Sequence, residues 1–111
     1  LALARQIGYH APSTYGRLQM LTFQQKREYL LTVIFQARGL SSSEKLVALC
    51  LAFNIDDSGR SKLKMIQLSE MSRLHLRHVR KMVRVLENKI DLNVRQGGRG
   101  NTYYFPQWAE L

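Results

Sequence analysis

Cysteine is almost missing from this chain. The single thiol, Cys50, lies in the apolar run Leu46-Val47-Ala48-Leu49-Cys50-Leu51, which excludes a disulfide within the chain and reads as a buried thiol of a reducing compartment. Long hydrophobic stretches are missing too. Nothing approaches the roughly 18 consecutive apolar residues of a spanning helix, and the opening residues lack the charged-then-apolar order of a signal peptide. The expected location is therefore the cytoplasm. Acidic residues are scarce: 8 Asp and Glu stand against 17 Lys and Arg, a net +9 on 111 residues. Paired carboxylates, Ser/His/Asp sets and a phosphate-binding Gly-Lys-Ser loop are absent, so no enzyme, cofactor or small-molecule ligand is expected.

What is present fits one small domain with an extension, since 45% apolar residues on this length bury one modest core. The chain opens on Leu1 and not Met, and is read as a fragment or a chain with an unseen start. The excess positive charge calls for an acidic partner, with nucleic acid ahead of an anionic membrane surface.

Residues 1–21 hold a short apolar start, Leu1 to Ile7, and a turn-rich piece, Gly8 to Gly16, that Pro12 and the two glycines keep out of regular helix, and this part is taken as an arm. Thr22 and Gln25 have capping-box spacing, and Phe23 to Ala37 then runs without a breaker until Gly39, which predicts a first helix within an extension 22–40. Its second half, Tyr29 to Phe35, is apolar almost all round and must be covered. Two covers compete: the rest of the same domain, or a second copy of the chain through residues 22–38. The dimer is preferred, because a winged domain of about 65 residues closes its own core and such modules bind paired half-sites.

Ser41 and Glu44 repeat the capping signal before a second helix, Glu44 to Phe53. Asn54 to Gly59 is a polar turn; Asp56-Asp57-Ser58-Gly59 lacks the alternating ligands and closing Glu of a calcium loop. Arg60 to Leu63 fits a short strand, and Lys64 to Met71 a short helix. The strongest periodicity follows. Leu76, Val79, Val83, Leu86 and Ile90 fall at steps of 3, 4, 3 and 4, one apolar stripe along a helix of about His75 to Lys89. Arg77, His78, Arg80, Lys81 and Arg84 all lie off that stripe. Between Arg73 and Arg99 eight Lys or Arg oppose only Glu87 and Asp91, so +6 of the net +9 is concentrated there. Leu92 and Val94 alternate with polar residues, Gln96 to Asn101 is glycine-rich, and Thr102 to Phe105 returns as a strand ended by Pro106. A β-hairpin with a basic tip results, followed by a tail, 107–111.

The fold class expected is mainly α with a small β-hairpin: a winged helix-turn-helix over 41–106 with an N-terminal helical extension. At Leu40-Ser41-Ser42-Ser43-Glu44-Lys45-Leu46-Val47, Asp56-Asp57-Ser58-Gly59-Arg60, Leu86-Glu87-Asn88-Lys89 and Gly98-Arg99-Gly100-Asn101-Thr102-Tyr103, the chain resembles the helix-turn-helix domains of phage and plasmid replication proteins. It departs from them at Arg73 and Ile90, where those families carry Gly; Arg73 implies a differently shaped turn and Ile90 a slightly longer helix. The resemblance implies an initiator of replication or a transcriptional regulator.

The expected partner is double-stranded DNA, with helix 75–89 in the major groove and wing 95–101 on the flanking backbone or minor groove. Arg77, His78 and Lys81 begin the helix and are expected at base edges, Arg77 first because Arg to guanine is the commonest specific contact. Arg73, Arg80 and Arg84 are assigned to phosphates, Arg99 to a narrow minor groove or bridged phosphates, and His75, Arg95 and Asn101 complete the candidate set. His75 and His78 have a spacing that chelates zinc, but no third ligand is near, and no metal is expected. Tyr103, Tyr104 and Phe105 are assigned mostly to the core, since no basic residue interleaves them. The rival reading is a winged-helix protein interaction module without direct DNA readout.

Overall fold

The computed structural model describes residues 21–98 and 100–111. Nearly all of the arm read over 1–21, and the candidate residue Arg99, lie outside the described residues. The described elements are helices α1 (Phe23–Phe35) and α2 (Ser42–Phe53), strand β1 (Arg60–Leu63), helices α3 (Met65–Ser72) and α4 (Leu76–Lys89), strands β2 (Asn93–Gly97) and β3 (Gly100–Tyr104), and a 3-10 turn over Pro106–Glu110. The fold is mainly helical with a small antiparallel sheet.

Local chemistry sets the helix starts. Thr22 Oγ1 accepts from the Gln25 N–H at 3.2 Å, while Gln25 Oε1 accepts from the Thr22 N–H at 2.9 Å. Ser41 and Glu44 make the same reciprocal pair at 3.2 and 3.0 Å. Each box satisfies donors that a helix start otherwise leaves unpaired.

The sheet is larger than a hairpin. β1 pairs with β3 on the side opposite β2, giving the order β1-β3-β2 with every pair antiparallel. Ser61, Tyr103 and Val94 share one row, and Ser61 and Tyr103 are fully buried, so this row faces the helices. Arg60, Tyr104 and Asn93 form the neighbouring row on the outer face.

One hydrophobic cluster runs from Tyr29 to Trp108. α2 is central to it and packs against α1, α3 and α4. Tyr29, Leu30, Val33 and Ile34 of α1 are 0–4% exposed within the single chain. Of the two covers open to this apolar run, the chain's own domain supplies one without a second copy, and α1 is part of the core. The premise that 41–106 closes alone fails, because α2 presents one face to α4 and another to α1. Fully burying a side chain of this size stabilises the fold by about 1.5–3 kcal/mol, a strong drive to keep α1 in place.

The tail assignment is also overturned. In the 3-10 turn, Gln107 and Trp108 are buried, and Gln107 Nε2 donates to the Ile90 carbonyl at 3.0 Å, satisfying the end of α4. Trp108 meets Phe23 edge-on, with ring centroids 5.9 Å apart. Its indole also lies against Gly59, where an added Cβ would come within 2.3 Å of the ring and where φ is +82°. Only glycine meets both demands at that position.

Candidate nucleic-acid interface

α3 and α4 are joined by Arg73, Leu74 and His75. Arg73 takes the left-handed conformation, φ 60° and ψ 25°, at a cost of roughly 1–2 kcal/mol for a residue with a side chain. The turn therefore keeps the conformation that glycine would adopt, against the expectation of a different shape. Side chains hold it: Ser69 Oγ donates to the Leu74 carbonyl at 2.6 Å, and Ser72 Oγ accepts from the Leu74 N–H at 3.4 Å. Ile90 does not lengthen the helix. It is the C-cap, and Asp91 behind it takes the positive φ of 56°.

α4 is two-faced. Val79, Val83 and Leu86 are 0–2% exposed, Met82 joins them, and Ile90 closes the stripe just past the helix. Arg77, His78, Arg80, Lys81 and Arg84 are all exposed. No acid occupies the first turn, and the only ion pair among the described residues is elsewhere, between Lys89 and Glu44. These side chains therefore face solvent with no ion pair among the described residues.

The candidate residues separate into three places. His75, Arg77, His78 and Lys81 surround one shallow patch at the helix start. There His75 has a second task, as N-cap, its Nδ1 accepting from the Arg77 N–H at 3.2 Å. Arg80 and Arg84 line a cleft between α4 and the hairpin together with Val94, Gln96 and Asn101, where Glu87 is the one acid. Asn101 is half-buried and donates to the Tyr103 hydroxyl at 3.1 Å, so its amide is engaged inside the domain. Arg95 joins neither group. It lies on the outer face of the sheet beside Thr102, in line with Lys62 across β3.

Sequence reasoning missed Arg60 and Lys62. Their alternation in β1 matched that of Arg95 in β2, but only the strand register puts the three on one face. It also missed that Lys89 belongs to the fold. The Lys89 ammonium lies 2.7 Å from Glu44 Oε1 and donates to the Gly39 carbonyl at 3.1 Å. Burial of Glu44 opposes its charge, yet the hydrogen bonds from Lys89 and Ser41 outweigh it and hold the carboxyl below its usual range. Cys50 is half-buried, and burial pushes its thiol up, away from reactivity. Asp56 is an Asx turn, its Oδ1 accepting from the Ser58 N–H, the Ser58 hydroxyl and the Arg60 N–H. Among the described residues no three His, Cys, Asp or Glu gather at one point, and no helix is long and apolar enough to cross a membrane.

Compared with known proteins, the chain matches no family model, no curated protein and no solved structure.

Proposed function

We propose that this chain binds double-stranded DNA through α4, as a winged helix-turn-helix module of a replication initiator or transcriptional regulator of plasmid or phage type. The observation that carries the reading is the build of α4: a stripe buried from Val79 onward, with Leu76 at its start only half-buried, fixes it to the domain while five exposed basic side chains, in no ion pair among the described residues, cover its other faces. A helix that enters a groove needs both properties. The order α2, β1, α3, α4, β2, β3 supports the winged-helix assignment, as does the three-residue turn before α4. In this arrangement Arg77, His78 and Lys81 reach base edges, Arg73, Arg80 and Arg84 meet phosphates, and Arg99 keeps its sequence assignment to the flank.

A second copy would have to meet α1 on its outward side, where Phe35 is exposed, because the inward side is occupied. Palindromic DNA selected from a random pool would indicate such a dimer and a repressor, whereas direct repeats would indicate an origin.

Fluorescence anisotropy with duplex DNA across a salt series tests the proposal. About six phosphate contacts give a log-log slope near −5, and a flat response would overturn duplex binding. Arg77→Ala should relax sequence preference, and Arg99→Ala should weaken all duplexes alike. Equal effects of both on every sequence would refute the roles assigned.

A further inference from the structure

The outer face of the sheet carries a second basic surface that the α4 reading does not use. Two rows cross it: Arg60, Tyr104 and Asn93, then Lys62, Thr102 and Arg95. These six residues line one open cleft, and none of them is acidic. Residues two apart on a strand are about 6.6 Å apart, and β1 and β2 are separated by about 10 Å across β3. Arg60, Lys62 and Arg95 therefore form a triangle of positive charge with Tyr104 at its side. The Arg60 guanidinium lies 5.3 Å from the Tyr104 ring centroid, a contact that steadies both side chains. That contact explains Arg60 as a sheet residue but not Lys62 and Arg95, which flank Thr102 and form no ion pair. Asp56, in the turn that leads into β1, accepts at its Oδ1 from Ser58 and from the Arg60 N–H. Lys62 attracts the Asp56 carboxylate through space, but among the described residues no ion pair uses the charge of Lys62 or Arg95.

We infer that this outer face is a binding surface for an unpaired nucleic-acid strand, with a base against Tyr104 and the adjoining phosphates on Arg60, Lys62 and Arg95. Charge complementarity selects a polyanion. The aromatic selects its form, because a duplex offers phosphates and groove edges but no free base face, whereas every unpaired base has one. In chain order the aromatics Tyr103, Tyr104 and Phe105 have no basic neighbours; strand pairing supplies them from β1 and β2. The inference stands apart from duplex recognition, since α4 contributes no residue to the face.

A fluorescein-labelled 12-nucleotide oligodeoxythymidine is the probe, titrated at low salt against the full chain. In amide NMR spectra of the unaltered protein, the oligonucleotide should shift residues 60, 62, 93, 95, 102 and 104 ahead of those of α4. Tyr104→Val keeps a strand-forming residue and should weaken oligonucleotide binding about ten-fold. Lys62→Ala with Arg95→Ala should reduce the salt slope by about 1.4, two single-strand phosphates at about 0.7 each. Arg77→Ala with Lys81→Ala should leave oligonucleotide binding as it was. No binding of the oligonucleotide, shifts confined to α4, or unchanged affinity in the sheet variants would overturn the inference. So would equal losses for duplex and oligonucleotide in the sheet variants, which would make the face a duplex flank.

Discussion

From Arg77 to Arg84 every Lys and Arg of α4 is exposed and unpaired, whereas at the other end of the helix Lys89 is bonded both to Glu44 and to the Gly39 carbonyl. The helix dipole widens the contrast. Partial positive charge gathers at a helix start, where cations are disfavoured, and partial negative charge at its end, where they are favoured. Lys89 sits where the fold wants a cation; Arg77, in the first turn, sits where it does not. The anchored end spends its charge on stability. The free end keeps charges that burden the helix, and a polyanionic partner is what gives them use.

The largest effect that separates the two ends is a cavity in the anchor. Leu86 is fully buried, and Leu86→Ala should cost about 2–5 kcal/mol in urea denaturation. Arg84→Ala, two residues away and exposed at the cleft between α4 and the hairpin, should change stability by less than about 0.5 kcal/mol while weakening duplex binding. Comparable losses of stability in the two would show that Arg84 also supports the fold.

Next comes the ion pair. Glu44→Gln keeps an oxygen to accept from the Ser41 N–H but removes the charge that faces Lys89. Because the Lys89 side chain is 42% exposed, solvent screening limits the expected loss to about 1 kcal/mol at neutral pH. The sign with pH is fixed by direction: the Glu44 pKa is lowered in the folded state, so its stabilisation is complete above the unfolded value of about 4.3 and disappears as pH falls through the folded value. The stability gap between the natural chain and Glu44→Gln should therefore be widest at neutral pH and close in acid. A gap that persists in acid would assign the loss to packing.

Much of α4 is legible in the sequence because its information is local. The stripe Leu76, Val79, Val83, Leu86 has helical period, and both capping boxes need only a three-residue spacing. The parts that stay hidden depend on distant partners. Whether Tyr29 to Ile34 meets a second chain or its own α2 is not encoded in α1's periodicity, which is the same in both cases. Gln107 and Trp108 lie in a five-residue 3-10 turn, too short to show a period, and their role appears only where they reach Ile90 and Gly59. The grouping of Arg60, Lys62 and Arg95 needs the register of three strands. His75 and Asn101 read as free polar groups until the structure shows one capping a helix and the other bonded to Tyr103.

The smallest expected effect is the sharpest test of the comparison between the two ends of α4. Arg77→Glu places an acid in the first turn, where it meets the positive end of the dipole, and removes a cation from the same place. Each such interaction is worth about 0.3–1 kcal/mol at an exposed site, so even at the low end of both the variant should be more stable than the natural chain by about 0.6 kcal/mol at low salt. High salt should shrink the gain, since exposed charges are screened over about a Debye length. Duplex affinity should move the opposite way, because an anion at the helix start repels phosphates and deletes the donor proposed for guanine. A protein that becomes more stable as it loses DNA would show that Arg77 is retained against the interest of the fold. Loss of stability together with binding would instead place Arg77 beside Lys89, among the residues that hold the helix.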